Sequence, residues 1–528
     1  MAEASAQPAI ILATLNARYI HASLGLRYLL ANMGDLQAST ALCEFTIARP
    51  AAEIADSLLS TLGEPDETMQ IVGFGVYIWN VTQTLAVMQL LKARRPALKL
   101  VLGGPEVSHE VDAQAITQLA DHVITGWGDL SFPELCRKLR DGGPAPARVI
   151  AGRQPALAEI ALPYAGYSDQ DLAQRLIYVE ASRGCPFKCE FCLSALDKTA
   201  WAFPLDAFLA AMAELYARGA RTFKFVDRTF NLNTAVSSRI LQFFLDRLAE
   251  APESPVFAHF ELIPDHLPEA LKALIVQFPP GTLQFEIGIQ TFNPEVQQRI
   301  SRRQDNAQSE ANLRWLLDHS HAHLHTDLIF GLPGETLKSF AEGFDRLYAL
   351  KPHEIQLGIL KRLRGTPIDR HTLAFGMVYA AEPPYTIRQT GHIDAATVEC
   401  FTRFARYWDL IANSGRFPQT LGVLLSTPIP QTDAPSVFAR FMALTEWLNQ
   451  TLASTHRLSP EVLVDTLFRY LTRHLLLAER LIRETLLADY LASGARGSPD
   501  CLRGQLPYRP PVLRQHVSLT QRQTQHGH

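Results

Sequence analysis

Three cysteines fall within eight residues, in the run Ala181-Ser182-Arg183-Gly184-Cys185-Pro186-Phe187-Lys188-Cys189-Glu190-Phe191-Cys192. Their C-x3-C-x2-C spacing lets one loop wrap three thiolates around one metal centre. A structural zinc site takes four ligands, and Cys43, Cys136, Cys400 and Cys501 are scattered, with no paired spacing to supply the fourth. A [4Fe–4S] cluster held by three cysteines keeps one iron open to a small molecule. A zinc knuckle is the alternative use of the same loop. Seven cysteines, an odd number with three crowded together, argue against a disulfide scaffold and for a reduced, cytoplasmic protein with a metal site.

The loop follows an expected strand, Ile177–Ala181, which opens a βα series with strands at Thr222–Val226, Phe257–Leu262, Leu283–Ile289, His323–Phe330 and Glu354–Leu360. Helices are expected between them, including Asp206–Ala217, ended by Gly219, and Ala235–Leu248. Six βα units are short of the eight of a closed TIM barrel, so an open (β/α)6 partial barrel is expected. Before it, apolar runs at Ile10–Leu15, Leu42–Ile47, Ile71–Ile78, Leu98–Leu102 and His122–Thr125 alternate with helical patterns. One such helix starts at an N-cap, Ser23, and is stopped by Gly34. This is the pattern of an α/β, doubly wound, flavodoxin-like parallel sheet, which binds ligands beyond its C-terminal strand ends. The Pro- and Gly-rich stretch Gly142–Pro155 marks a boundary. After Arg370 the pattern turns helical and stays so, over Ala395–Ile411, Val437–Leu452, Pro460–Leu476 and Arg480–Ala492. The expected domains are residues 1–150, 171–370 and 371–503, followed by a disordered tail, 504–528, that carries Arg509, Arg514 and Arg522 and no acid.

A C-x3-C-x-aromatic-C loop after the first strand of a βα series resembles the radical S-adenosylmethionine (SAM) superfamily. The resemblance implies that SAM chelates the open iron and is cleaved to a 5′-deoxyadenosyl radical. The stretch Phe285-Glu286-Ile287-Gly288-Ile289-Gln290-Thr291-Phe292-Asn293 is similar to the G-[IV]-Q-x-x-N segment of the oxygen-independent coproporphyrinogen dehydrogenase branch, and Asp327-Leu328-Ile329-Phe330-Gly331-Leu332-Pro333-Gly334-Glu335-Thr336 extends the likeness. It implies contacts of Gln290, Arg302 and Asp327 with the SAM ribose and carboxylate, Glu261 as a fourth member, and Asp227 near the SAM amino group. Carboxylates and amides accept from ribose hydroxyls, and arginine pairs with a carboxylate. Gly331-Leu332-Pro333-Gly334 reads as a tight strand-to-helix turn.

A doubly wound domain ahead of such a core resembles the cobalamin-binding domain of the B12-dependent branch. The residues that carry this are Asn16-Ala17-Arg18-Tyr19-Ile20-His21-Ala22-Ser23, Gly103-Gly104-Pro105-Glu106-Val107 and Thr125-Gly126-Trp127-Gly128-Asp129. Glycines Gly103, Gly104 and Gly126 would let backbone approach a flat corrin, and Asn16, Ser23 or Thr125 would bond its amide arms. No D-x-H-x-x-G run is present, so no histidine of this domain is expected on cobalt, and His21 reads as structural. The helical C-terminus is similar to an uncharacterised extension of a B12-type radical SAM subgroup, expected to cover the barrel mouth or dock substrate. His321, His323 and His325 read as exposed strand-edge histidines.

With 47% hydrophobic residues, 19% charged and a net charge of −4, composition makes no case for nucleic acid or a membrane surface, and no run of about 18 apolar residues appears. The N-terminus lacks a basic and apolar signal pattern. The expectation is a cobalamin-dependent radical SAM enzyme with a [4Fe–4S] cluster, transferring methyl to unactivated carbon of a small-molecule or peptide substrate, with a flavodoxin or ferredoxin as electron donor. Radical rearrangement or oxidation without methyl transfer is the second reading. A non-catalytic cobalamin or redox sensor is a third. Methylthiolation of tRNA is disfavoured, because only Cys43 and Cys136 lie in the N-terminal domain.

Overall fold

The computed structural model describes residues 7–65, 69–142, 146–197, 199–428, 436–452 and 458–507. Most of the tail expected to be disordered, from residue 508, lies outside these.

The first sheet is parallel and six-stranded, in the order β2-β1-β3-β4-β5-β6. Its strands are β1 (Ile10–Asn16), β2 (Thr40–Thr46), β3 (Ile71–Gly75), β4 (Lys99–Gly103), β5 (His122–Thr125) and β6 (Val149–Ala151). Alternation along β1 sends Ile11, Ala13 and Leu15 into a core with helices Ala51–Leu62 and Val81–Arg94, and Ile10 and Leu12 into a second core with Leu26, Phe132 and Leu135. Both faces are covered, so the strands read as continuous apolar runs rather than alternating ones. The order reverses between β1 and β3, the switch point at which ligands bind. The sixth strand falls in the segment read as a loose boundary. It pairs only through Val123–Thr125 and is too short to carry a period. The first helix, Leu24–Ala31, has the expected Ser23 cap but ends before Gly34, at Asn32, whose amide bonds Tyr28 O at 2.8 Å.

The second sheet is also parallel and six-stranded, with β7 (Ile177–Val179), β10 (Thr222–Phe225), β11 (Phe257–Leu262), β12 (Leu283–Gln290), β13 (His323–Phe330) and β14 (Glu354–Ile359) in sequence order. Consecutive parallel strands with helical crossovers make the open partial barrel. Between β7 and β10, an antiparallel pair, β8 (Ser182–Gly184) and β9 (Ala200–Ala202), holds the cysteine loop. Phe223, Phe225, Phe244, Phe260 and Phe285 pack outside the strands, fully buried. Each contributes roughly 1.5–3 kcal/mol of burial free energy.

The C-terminal helices share the barrel's core: Phe330 stacks on Phe401 at 3.8 Å, and Phe344 meets Trp408 edge-on at 4.8 Å. Helicity is not continuous from residue 371. A hairpin of β15 (Val378–Tyr379) and β16 (Ile387–Gln389) comes first, because Gly376 and Pro383-Pro384 cannot continue a helix. Gly331, at a φ of 89°, is the turn expected there; a Cβ would lie 2.7 Å from Ile387 Cγ2, so glycine lets β16 approach. A further helix, Pro418–Ser426, was not expected. Its first amides, of Gln419 and Thr420, donate to Asp489, some 70 positions away, so no local cap announces it. Helix Pro460–Arg469 runs into a π turn, Tyr470–His474. Among the described residues no helix is long and apolar enough to cross a membrane.

Candidate active site

The cysteine loop leaves β8 through Gly184, at a φ of 91°, where a Cβ would stand 2.3 Å from Thr199 O; glycine is required for the pair to close. The loop is tied down from three directions. Asp227 accepts from Ala181 N at 3.0 Å and Ser182 Oγ at 2.5 Å. Glu190, buried between Cys189 and Cys192, donates its amide to Ile300 O at 3.0 Å and accepts from Ser301 Oγ at 2.6 Å. It also faces His371 Nε2 at 2.8 Å and Arg370. Cys185, Cys189 and Cys192 all open on one cavity of about 230 Å3. Among the described residues no three His, Cys, Asp or Glu side chains converge tightly enough for one metal ion. Three thiols opening on one cavity suit a [4Fe–4S] cluster held by three cysteines, one iron of which stays open to a small molecule.

Glu261, Gln290, Arg302 and Asp327 line the same cavity, and Asp227 does not. Its carboxylate is spent on the loop, and burial pushes its pKa up to about 7. Arg302 bonds Gly288 O and Gln304 Oε1, the latter at 2.9 Å, and its Nη1 lies 3.6 Å from Cys189 Sγ. Its charge thus faces the cluster loop. Gln290 follows a register shift in β12 and holds a φ of 68°. Such a conformation costs a non-glycine residue about 1–3 kcal/mol and persists where surroundings enforce it. Asp327 carries the clearest open valence: Oδ1 is buried with no hydrogen bond among the described residues. Burial, then the Glu286 and Glu261 carboxylates, raise its pKa well above the usual range. A ligand offering hydroxyl or ammonium donors here would meet a carboxyl oxygen that no described residue hydrogen-bonds, with His325 nearby at 3.5 Å.

The lumen beneath is polar. Lys224 lies 3.6 Å from Glu286, and His259 Nε2 3.3 Å from the same carboxylate. Burial works against the Glu286 charge, but His259 and Lys224 hold its pKa well below the usual range, while burial pulls His259 down to about 4. The histidines of β13 correct the strand-edge expectation. His323 is buried and 3.0 Å from Glu354 Oε1, and His325 stands in the lumen 3.5 Å from Asp327 Oδ1; His321 alone is exposed. Lys224, His259 and Glu286 were not singled out as site residues in the sequence, and His325 was read there as a strand-edge histidine. Their signal is the i, i+2 pattern His259/Glu261, Glu286/Gly288 and His325/Asp327, which puts polar groups on one strand face.

A second cavity, about 750 Å3, lies between the C-terminal ends of the first sheet and the barrel. Asn16, Ser23, Gly103, Gly104 and Gly126 line it; Thr125 does not, because its hydroxyl turns to Ile150 O of β6. Asn16 Nδ2 and Ser23 N both donate to Glu44, and Ser23 Oγ caps its helix, so these two shape the wall more than they offer free donors. Gly126, at a φ of 73°, has nothing within 4 Å of a would-be Cβ, whereas a Cβ on Gly104 would strike Val76 O at 2.5 Å. The first leaves room for a flat ligand; the second lets two loops meet beside it. The walls are otherwise mostly apolar, with Tyr77 and Trp79 stacked at 4.5 Å. His21 faces the cavity with Nδ1 held 2.7 Å from Tyr178 OH. A glycine-floored, aromatic-rimmed cleft of this size suits a flat corrin. Arg228, 2.7 Å from Glu261, lines both cavities.

Residues 10–136 match the B12 binding domain, residues 179–347 the radical SAM superfamily, and residues 374–525 a protein family of unknown function (DUF4080). The chain is 26% identical over 351 residues to the cobalamin-dependent radical SAM methyltransferase TokK of Streptomyces tokunonensis, covering 60% of this chain and 49% of that one. It is 24% identical over 326 residues to the 2-(S-pantetheinyl)-carbapenam-3-carboxylate methyltransferase of Streptantibioticus cattleyicolor, covering 54% and 45%. The chain thus spans about half the length of these curated relatives. Among solved structures, the cobalamin-dependent SAM radical enzyme OxsB superposes with a TM-score of 0.60 at 13% identity over 92% of this chain and 80% of that one. The SAM methyltransferase TsrM of Kitasatospora setae gives 0.57 at 14% over 83% and 95%. At such identities these two show the fold.

Proposed function

From the premise that this chain belongs to the radical SAM superfamily and carries an N-terminal B12-binding domain, we propose that it is a cobalamin-dependent radical SAM methyltransferase acting on unactivated carbon. The observation that carries this reading is the pair of cavities joined at Arg228: one lined by three cysteines and a polar ring, the other by the glycine and aromatic edge of a doubly wound sheet. When bound, the cluster supplies an electron for SAM cleavage and cobalamin a methyl group for transfer.

The chain's residues would do the rest. Cys185, Cys189 and Cys192 would hold three irons. Asp327 and Glu261 would accept from SAM hydroxyls or its ammonium, Gln290 would fix the ring's orientation from its strained position, and Arg302 would offset negative charge at the thiolates. Asp227 and Glu190 would keep the loop in register. The Gly103-Gly104 and Gly126 backbone would seat the corrin beside Asn16 and Ser23. On this assignment residues 1–150 serve cobalamin, 171–370 SAM and the cluster, and 371–503 the substrate side. A one-electron donor such as flavodoxin or ferredoxin, and a cytoplasmic setting in which all seven cysteines stay thiols, complete the reading.

Anaerobic reconstitution followed by product analysis tests it. Under reducing conditions with SAM and added cobalamin, 5′-deoxyadenosine and S-adenosylhomocysteine should both form. Deoxyadenosine alone would point to rearrangement or oxidation instead, and neither product would overturn the enzyme reading.

A further inference from the structure

Among the described residues the barrel has six strands, and its last strand, β14, has a strand neighbour on one side only. Two observations fix how its backbone faces. Leu360 N donates to Phe330 O at 2.9 Å, so even-numbered residues turn their amides toward β13. The Asn413 carboxamide bonds both Ile355 N and Ile355 O, each at 3.0 Å, so odd-numbered residues turn outward. By the alternation of a strand, Leu357 and Ile359 present N–H and C=O outward too.

The chain completes this edge on both flanks. At Ile355 it uses Asn413, a side-chain copy of a peptide group. Beyond Ile359, Ile387 N donates to Leu360 O at 2.8 Å and Thr386 bridges Lys361 antiparallel. Between them no described residue pairs with Leu357 or Ile359. That stretch opens on a cleft of about 620 Å3 between β14 and helix Ala395–Ile411. Across the cleft the helix presents Ala405, a small side chain, and Gln356 is exposed although Glu354 and Ile355 beside it are buried. An edge that no described residue covers is unusual inside a fold, because bare edges pair with other chains.

The cleft also reaches His325 and Phe191, one in the lumen and the other in the cysteine loop. Gln356 is the register partner of lumen-facing Asp327, so even-numbered residues of β14 face the lumen, and Gly358 leaves that face without a side chain.

We propose that this gap receives an extended peptide, which adds as a seventh strand along Leu357–Ile359 and turns alternate side chains into the lumen. The substrate class assigned to the site is therefore a polypeptide segment, recognised first through its backbone. Backbone pairing gives affinity and alternate side-chain pockets give selectivity in such strand addition. The inference rests on the radical SAM reading above for what happens in the lumen, not for the pairing itself.

The probe is a pool of acetyl- and amide-blocked random pentapeptides added to reconstituted protein, read by amide hydrogen exchange. Leu357 and Ile359 amides should exchange at least about tenfold more slowly with the pool, the change expected from one added hydrogen bond each. Leu357→Pro and Ile359→Pro remove an outward N–H, which an edge strand tolerates. Each should keep its melting temperature and iron content yet bind the pool at least about tenfold more weakly. Gln356→Pro, whose amide faces β13, should instead destabilise the fold. No protection of Leu357 and Ile359 in the unaltered chain, or undiminished binding by the folded proline variants, overturns the proposal. SAM cleavage without such protection would sink this inference alone, whereas failure to bind iron or cleave SAM would sink the reading beneath it.

Discussion

Arg228 sits where the two cavities meet. Its guanidinium, paired with Glu261, forms part of the wall of both cavities. Arg228→Ala should therefore weaken SAM binding and cobalamin retention together, each by about tenfold or more, the scale of one lost charge-assisted bond. Trp79→Ala, at an exposed ring lining the larger cavity alone, should reduce cobalamin retention and leave SAM affinity unchanged. Equilibrium dialysis with each ligand separates the two outcomes. At this scale the sequence is most informative where chemistry is local. The cysteine spacing and the Gln290 and Asp327 stretches are short and contiguous. Asp227 misleads for the same reason: its acid lies at a strand end, but only the fold reveals that Ala181 and Ser182 have claimed it.

Among elements, the turn leaving β13 holds a titrating group. Glu335 accepts from Thr291 Oγ1 at 2.5 Å, its second oxygen has no hydrogen-bond partner among the described residues, and burial raises its pKa to about 7. The folded state thus binds this proton more tightly than the unfolded chain does. Its stabilisation is complete below the ordinary carboxyl range and is lost as pH rises through about 7, up to roughly 3 kcal/mol in all. Glu335→Gln should match the natural chain near pH 4 and exceed it near pH 8 in denaturant midpoint. The strands and most helices were legible because their apolar periods are long. Strand β6, the β15–β16 hairpin and helix Pro418–Ser426 were not, being short or capped by distant residues such as Asp489. The inward placement of His323, buried, and His325, half-buried in the lumen, was hidden because their alternation with apolar residues fits a half-exposed strand equally well.

The whole molecule is joined by ion pairs that no local pattern could announce. Arg27 meets Glu44 and Asp171, each at 2.9 Å, and Arg175 meets Glu44 at 2.7 Å, all four side chains nearly sealed from water. Burial opposes the Glu44 charge, but Arg27 keeps its pKa below the ordinary value. Arg364 similarly reaches from the segment after the barrel to Glu106 at 3.0 Å. These clamps hold the first sheet over the barrel mouth, and so hold the two cavities together. Arg27→Met leaves buried carboxylates short of a partner and should cost about 3–5 kcal/mol in unfolding free energy, with cobalamin retention falling alongside it. The most direct test of the central claim, SAM at the open iron of a three-cysteine cluster, is electron paramagnetic resonance of the reduced, reconstituted chain. The account requires a [4Fe–4S]+ signal that changes on adding SAM and disappears in Cys185→Ala, Cys189→Ala and Cys192→Ala alike. A signal indifferent to SAM, or one that survives loss of any of these cysteines, would contradict it.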